Sequence, residues 1–193
     1  MAGKSIIDKK TLLKYAIKMV SEKGIESINA RDLAASAGIS TKPIYRIYKS
    51  LDELKTDVNE IIKKEYDEFI MKRVDNKNAL ITVCVAYVEF ADMHKNYFKC
   101  MFLSNNLNWQ SIDDVLNEKW NQSTIINLVN KHSLSFEEAK TLFMNVWLYA
   151  NGLATLIACN DLKIDNKEIL IRIVKIYKEL SKTLKNNEKI TSK

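Results

Sequence analysis

Residues 29–50 read NARDLAASAGISTKPIYRIYKS, with the spacing of two short helices joined by a tight turn. The Asn29 side chain can accept from the free amides of residues 30–32, which predicts a helix start. Gly38 permits the turn that ends this helix. Ser40 is placed to cap the next one, and Pro43 falls in its first turn, where a missing N–H costs little. Ala34 is small enough for the two helices to approach closely, and Leu33, Ala37, Ile39 and Ile44 are the inward positions that fix their crossing. The pattern is a helix-turn-helix. With the apolar positions used, Thr41, Lys42, Tyr45, Arg46 and Lys49 remain for the outer surface, and Lys42, Arg46 and Lys49 share a face at i, i+4 and i+7.

Charge points the same way. Residues 1–50 carry ten Lys and Arg against four Asp and Glu, whereas residues 51–193 carry twenty of each, so the whole net charge of +6 lies at the amino-terminal end. A local positive field attracts a polyanion. A merely solvated surface accounts for the charge but not for the motif beneath it. A helix bearing cations and hydroxyls on one face suits the DNA major groove, where Arg46 or Lys42 could read guanine O6 and N7 and Thr41 a thymine methyl. Tyr45 and Lys49 are better placed for phosphates. Ile47 either meets a thymine methyl or completes the small core under the helix.

Outside this segment the chain reads as all-α. One Pro and four Gly in 193 residues leave few breaks. Leu13, Ala16, Ile17 and Val20 mark an amphipathic first helix, with Ser5 and Asp8 as start signals and Gly24 as its end. Ser50 with Glu53, Ser135 with Glu138 and Asp165 with Glu168 have capping-box spacing. They predict a long helix from Leu51 to about Arg73 and two that close the chain. Between these, helices are expected at about 79–94, 97–103 and 112–131, about nine in all. The penultimate helix is apolar nearly all round from Leu142 to Cys159, and the last carries Ile169, Ile173, Ile176, Tyr177, Leu180 and Leu184 on one stripe. Such a pair could join its copies in a four-helix bundle, intramolecular core being the alternative. The expected division is a DNA-binding domain at 1–50 and an effector-binding and dimerisation domain at 51–193.

Three widely spaced cysteines, Cys84, Cys100 and Cys159, fit reduced thiols in a cytoplasm better than a disulfide framework or zinc site. The start, MAGKSIIDKK, lacks the apolar stretch of a signal peptide, and the longest nearly apolar run, Val146 to Cys159, is short for a bilayer span. The expected location is therefore cytoplasmic, with no membrane partner.

On these residues the chain resembles the TetR family of bacterial transcriptional regulators. The resemblance rests on ARDLAASAGIS, IYRIYKS and the DEL that opens the fourth helix, with WLYANGLATL at 147–156 as a weaker match. It implies three DNA-binding helices followed by helices that bind an effector and dimerise. It also implies that Arg31, Thr41, Lys42, Pro43, Tyr45 and Arg46 contact operator DNA. Leu51 departs from the pattern, since relatives often hold a phosphate there with lysine, which leaves Lys49, Ser50 or the helix amides for that task. Lys42, where many relatives have glycine, and Pro43 make this surface distinctive.

The resemblance thus implies a homodimeric repressor released from a palindromic operator by a small molecule. The fourth helix would be the lever that changes the spacing of the two heads. Candidate effector contacts are Tyr87, Phe90, Met93, His94, Phe102, Trp109, Trp120, Asn145, Trp147, Tyr149 and Asn151, which offer aromatic walls and a few polar anchors. No cofactor, metal or enzymatic activity is expected: His94 and His132 lack ligand-spaced partners, and there is no phosphate loop or nucleophile paired with a base. Cys84 and Cys100 read either as core or as oxidant sensors. The competing readings are a helical carrier or enzyme with a basic head, and an architectural DNA-binding protein.

Overall fold

Capping side chains set several of the helix starts. In a computed structural model describing residues 7–191, the side chains at 105 and 185–191 excepted, the described residues form ten α-helices and three single 3-10 turns. The helices are α1 (Lys9–Lys23), α2 (Ala30–Ser36), α3 (Lys42–Ile47), α4 (Leu51–Met71), α5 (Ala79–Met93), α6 (Lys95–Phe102), α7 (Ile112–Asn117), α8 (Lys119–His132), α9 (Phe136–Asn160) and α10 (Asn166–Thr191). Asp8 accepts from the Thr11 amide at 2.7 Å to open α1, and Asn29 accepts from the Asp32 amide at 2.9 Å to open α2. The other start signal at this end, Ser5, lies outside the described residues.

Packing divides the chain into two compact units, one comprising residues up to Asp67 with His94–Leu107, the other Glu68–Met93 with the residues from Asn108 onward. The expected boundary at residue 50 is one of roles; by contact, most of α4 and all of α6 group with the helix-turn-helix. The core of the first unit is built from Leu12, Ala16, Val20, Leu33, Ile44, Leu54, Val58, Ile62 and Phe98. The buried face of α1 is rotated from the expected stripe: Leu12 and Met19 are buried, whereas Leu13 and Ile17 are half-buried. Contacts with α2 and α6 set that rotation. Asn96 on α6 donates to the Ser21 carbonyl at 2.8 Å, and the Cys100 thiol donates to Asn59 Oδ1 on α4 at 3.0 Å.

A polar clasp completes this unit. Tyr48 follows α3, its ring 1% exposed, and its hydroxyl donates to Asp57 Oδ2 on α4 at 2.8 Å. The same oxygen lies 2.7 Å from Lys9 Nζ at the start of α1, and Lys9 sits 5.1 Å from the centre of the Tyr48 ring. The Lys9 ammonium and the Tyr48 hydroxyl hold the Asp57 carboxyl below its ordinary pKa, while burial and the neighbouring carboxylate push the Tyr48 phenol well above its own.

The second unit is layered on α9. Ala150, Ala154 and Ala158 recur at i+4 on its buried side, and such a small-residue ridge lets α5 approach closely. Leu80, Cys84, Tyr87, Phe90, Ile125, Phe143, Val146 and Ile157 fill the core. By length and composition α9 could cross a membrane, yet half of its most apolar window is buried against the unit's other helices. The Ser135–Glu138 capping box is complete. At Asp165 only one half forms, because the Glu168 carboxylate turns to Arg172.

Several expectations are corrected. The helix foreseen at 112–131 breaks at Glu118, whose extended backbone (φ −56°, ψ 134°) separates α7 from α8 and raises the helix count to ten. Asn121 and Gln122 donate to the carbonyls of Val115 and Leu116, satisfying the end of α7. The preceding start is a Ser111–Asp114 capping box. The fourth helix stops at Met71, and Arg73 folds back so that its guanidinium lies 3.5 Å from the centre of the Phe69 ring and bonds Glu89. Of the α10 stripe, Ile169, Ile173 and Tyr177 are buried within the unit, while Ile176, Leu180 and Leu184 are half-buried. Nor is α9 covered all round: Leu148 and Leu156 are exposed, as are Leu170 and Ile171 on α10.

Two outcomes follow from the clasp. Tyr48→Phe removes a hydrogen bond to a carboxylate and should lower stability by about 1–2 kcal/mol, read from urea denaturation at neutral pH. Because the Asp57 pKa is lowered by folding, its contribution is complete above the ordinary aspartate value and is lost as pH falls through the folded one. The stability gap between wild type and Asp57→Asn should therefore narrow as the medium is taken from neutral to acid.

Candidate nucleic-acid interface

The outward surface of the helix-turn-helix is built by three backbone events. α2 ends at Ala37, after which Gly38 takes φ +66°, a conformation that strains any residue with a Cβ. The chain then enters α3 through Thr41, which stands at the N-cap position without a side-chain cap bond, so the capping role expected of Ser40 is not taken. Pro43 lies in the first turn, as its missing donor requires. At the far end Tyr48 becomes extended and buries its ring. The Lys49 amide donates to Glu53 Oε2 at 2.7 Å, while Glu53 N–H donates to Ser50 Oγ at 3.2 Å. The serine half of the expected Ser50–Glu53 box thus forms, while the glutamate half reaches one residue further back, to the Lys49 amide.

Burying Leu33, Ala34, Ile44 and Tyr48 leaves one face of α3 outward. Thr41, Lys42, Tyr45, Arg46 and Lys49 are exposed, Tyr45 to 53%, and Arg31 is exposed on α2. Pro43 and Ile47 are half-buried, as are Ala37 and Ile39 of the expected inward set. Leu51 is half-buried. Elsewhere in this unit Lys9 pairs with Asp57, Lys18 with Glu22 and Lys55 with Glu26. Among the described residues no ion pair engages Arg31, Lys42, Arg46 or Lys49. Four cations thus stand outward with their charge uncompensated by an internal anion.

Beside α3 runs an open groove of about 670 Å³. Its lining includes Lys42, Pro43 and Arg46 of α3, Gly38 and Ser40 of the turn, and Asp8, Thr11 and Tyr15 at the start of α1 and along it. The sequence reading did not place Thr11 or Tyr15 here. Their recurrence four residues apart puts them on one side of α1, but only the packing of α1 on α2 and α6 decides that this side faces α3.

The expected effector residues divide. Tyr87, Trp109, Trp147 and Asn151 come together in the second unit: Tyr87 donates to Asn151 Oδ1 at 2.8 Å, and Trp147 lies 6.0 Å, between ring centres, from both Tyr87 and Trp109. Phe90 is buried against Phe69, and Tyr149 lies beside Arg172. Met93 and Trp120 are exposed, and exposed Asn145 donates to its own helix at Thr141. His94 and Phe102 belong to the first unit, the histidine stacked on Tyr97 and the phenylalanine edge-on to Tyr66. Among the described residues no three His, Cys, Asp or Glu cluster as metal ligands. Burial pushes the Cys84 thiol up to about 12 and that of Cys100 to about 11, which keeps both protonated.

No family model and no curated protein matches the chain. Solved structures do. A TetR-like transcriptional regulator from Rhodococcus sp. RHA1 is similar over 87% of this chain and 92% of its own, with a TM-score of 0.60 and 15% identity. A TetR variant from Acinetobacter baumannii AYE, solved in complex with minocycline, is similar over 95% of this chain and 98% of its own, with a TM-score of 0.56 and 13% identity. At such identities the likeness is one of architecture: the chain has the all-α fold of TetR-type regulators.

Proposed function

We propose that this protein is a sequence-specific DNA-binding transcriptional regulator, a homodimeric repressor that a small molecule releases from a palindromic operator. The observation that carries the reading is the outward face of α3, where Lys42, Arg46 and Lys49 stand exposed beside a groove and without internal ion-pair partners. Cations left in this state are matched to phosphates and guanine edges. Arg46 and Lys42 are the base-reading residues and Thr41 a methyl contact. Pro43 stiffens the start of the helix, and Arg31, Tyr45 and Lys49 hold the backbone. The fold shared with known regulators supports the assignment.

Dimerisation rests on the apolar surface the second unit leaves uncovered. Leu148 and Leu156 on α9 lie eight residues apart on one helix face, and Leu170 and Ile171 on α10 are 44% and 65% exposed. A symmetric pair of such faces makes a four-helix contact. Two recognition helices must then meet successive major grooves, about 34 Å apart. Because α4 is continuous from Leu51 to Met71, an effector bound in the second unit that displaces its carboxyl-terminal end alters that spacing and favours release. The protein acts in the cytoplasm, where its DNA is.

The direct test is binding to the DNA upstream of the protein's own gene, with scrambled competitor, at two salt concentrations. Protection of a two-fold symmetric site that weakens with salt is the expected result; binding to all sequences alike would identify an architectural protein instead. Arg46→Ala or Lys42→Ala should weaken operator binding by about 1–3 kcal/mol and relax the preference at one base pair. In sedimentation, Leu156→Glu should shift the protein from dimer to monomer and weaken operator binding in parallel, since each head would then bind alone.

A further inference from the structure

The break between α7 and α8 has a chemical consequence. Glu118 sits at that break, half-buried, and its Oε1 accepts from Trp109 Nε1 at 3.2 Å. The bond orients the Trp109 indole, which meets Trp147 at an interplanar angle of 75°, as adjoining walls of a corner. Trp147 is in turn inclined by 53° to Tyr87. Behind the rings the Tyr87 hydroxyl is committed to Asn151 Oδ1. Two half-buried indoles and one half-buried carboxylate therefore converge in the second unit, with the Tyr87 ring, 1% exposed, packed behind Trp147. Both indoles are half-buried, so part of each remains open to solvent.

The charge of this cluster is one-sided. Among the described residues no Lys or Arg forms an ion pair with Glu118; its neighbour in sequence, Lys119, is exposed. Indole and phenol faces carry negative electrostatic potential, and a carboxylate adds a full negative charge. A corner of inclined rings therefore favours a positively charged, weakly hydrated ligand over neutral or anionic ones.

We propose that Trp109, Trp147 and Glu118, with the buried Tyr87 packed behind them, form a binding site for an organic cation of the quaternary-ammonium type. The aromatic faces supply cation–π attraction and apolar contact, and Glu118 supplies the counter-charge. This deepens the proposed function by naming the chemical class of the effector, and it rests on that reading only for the ligand's regulatory role. The remaining expected contacts, Phe90, Met93, Trp120, Asn145, Tyr149, His94 and Phe102, are not needed for it.

Benzyltrimethylammonium and its uncharged isostere neopentylbenzene provide the test, titrated into the full-length protein and followed by tryptophan fluorescence. The cation should bind saturably and about tenfold or more tightly than the isostere. Glu118→Gln keeps an acceptor for the Trp109 indole but removes the charge, and should erase most of the cation's advantage while leaving the isostere unchanged. Trp147→Leu removes an indole face and should weaken the cation by a larger factor than the isostere, with circular dichroism checking that both variants remain helical. Equal affinity for the two probes, no saturable binding of the cation, or a cation affinity indifferent to Glu118→Gln would overturn the proposal. DNA takes no part in this titration, so its outcome is separate from the operator test. A cation bound at this site that leaves operator protection intact would count against effector release alone.

Discussion

One carboxylate oxygen orients the amino-terminal head. Apolar burial of Leu33, Ile44 and Tyr48 brings α2, α3 and α4 together, but such contact is weakly directional and tolerates rotation of a helix as short as α3. Asp57 Oδ2 removes that freedom by accepting from the Tyr48 hydroxyl and pairing with Lys9, tying the end of α3 and the start of α1 to α4 at 2.8 and 2.7 Å. The outward direction of Lys42 and Arg46, and the position of Thr11 and Tyr15 across the groove, depend on this anchoring. The proposed match to a rigid duplex would require these side chains held in register, and a charge-assisted bond to a buried ring does this at small cost in area.

The second unit follows a different logic. Its order comes from close packing around α9, where alanines at i+4 admit α5 and leave the larger side chains to fill the space on either side. Such packing consumes the stripe of α10 that contains Ile169, Ile173 and Tyr177. Leu148, Leu156, Leu170 and Ile171 are among the apolar side chains left exposed, and the proposed dimer contact draws on them. The proposed cation site lies instead where helical order fails, at the Glu118 break, which turns a carboxylate toward an indole.

Much of the head was legible in the sequence because its signals are local. Asn29, Gly38 and Pro43 act on backbone groups within a few residues, so a helix-turn-helix and the outward set Thr41, Lys42, Tyr45, Arg46 and Lys49 could be read directly from their spacing. The capping box at Ser135 was equally plain. The rotation of α1, which buries Leu12 and Met19 and leaves Leu13 and Ile17 half-buried, was not, since several apolar rows compete on that helix and its neighbours choose among them. The break at Glu118 escaped because residues 112–131 hold no Pro or Gly; it is made by side chains of Asn121 and Gln122 capturing carbonyls, an interaction with no simple spacing signature.

The sequence by itself determined the helical class, the position of the turn at Gly38, and the concentration of positive charge before residue 50, because each arises from chemistry local in the chain. Tertiary structure decided which apolar stripe is core and which is surface, which face of α1 lines the groove, and which aromatic residues of the expected effector set meet. Those choices depend on residues dozens of positions apart, such as Tyr87 and Asn151 or Trp109 and Trp147, whose encounter is set by how whole helices pack and by no periodicity along the chain.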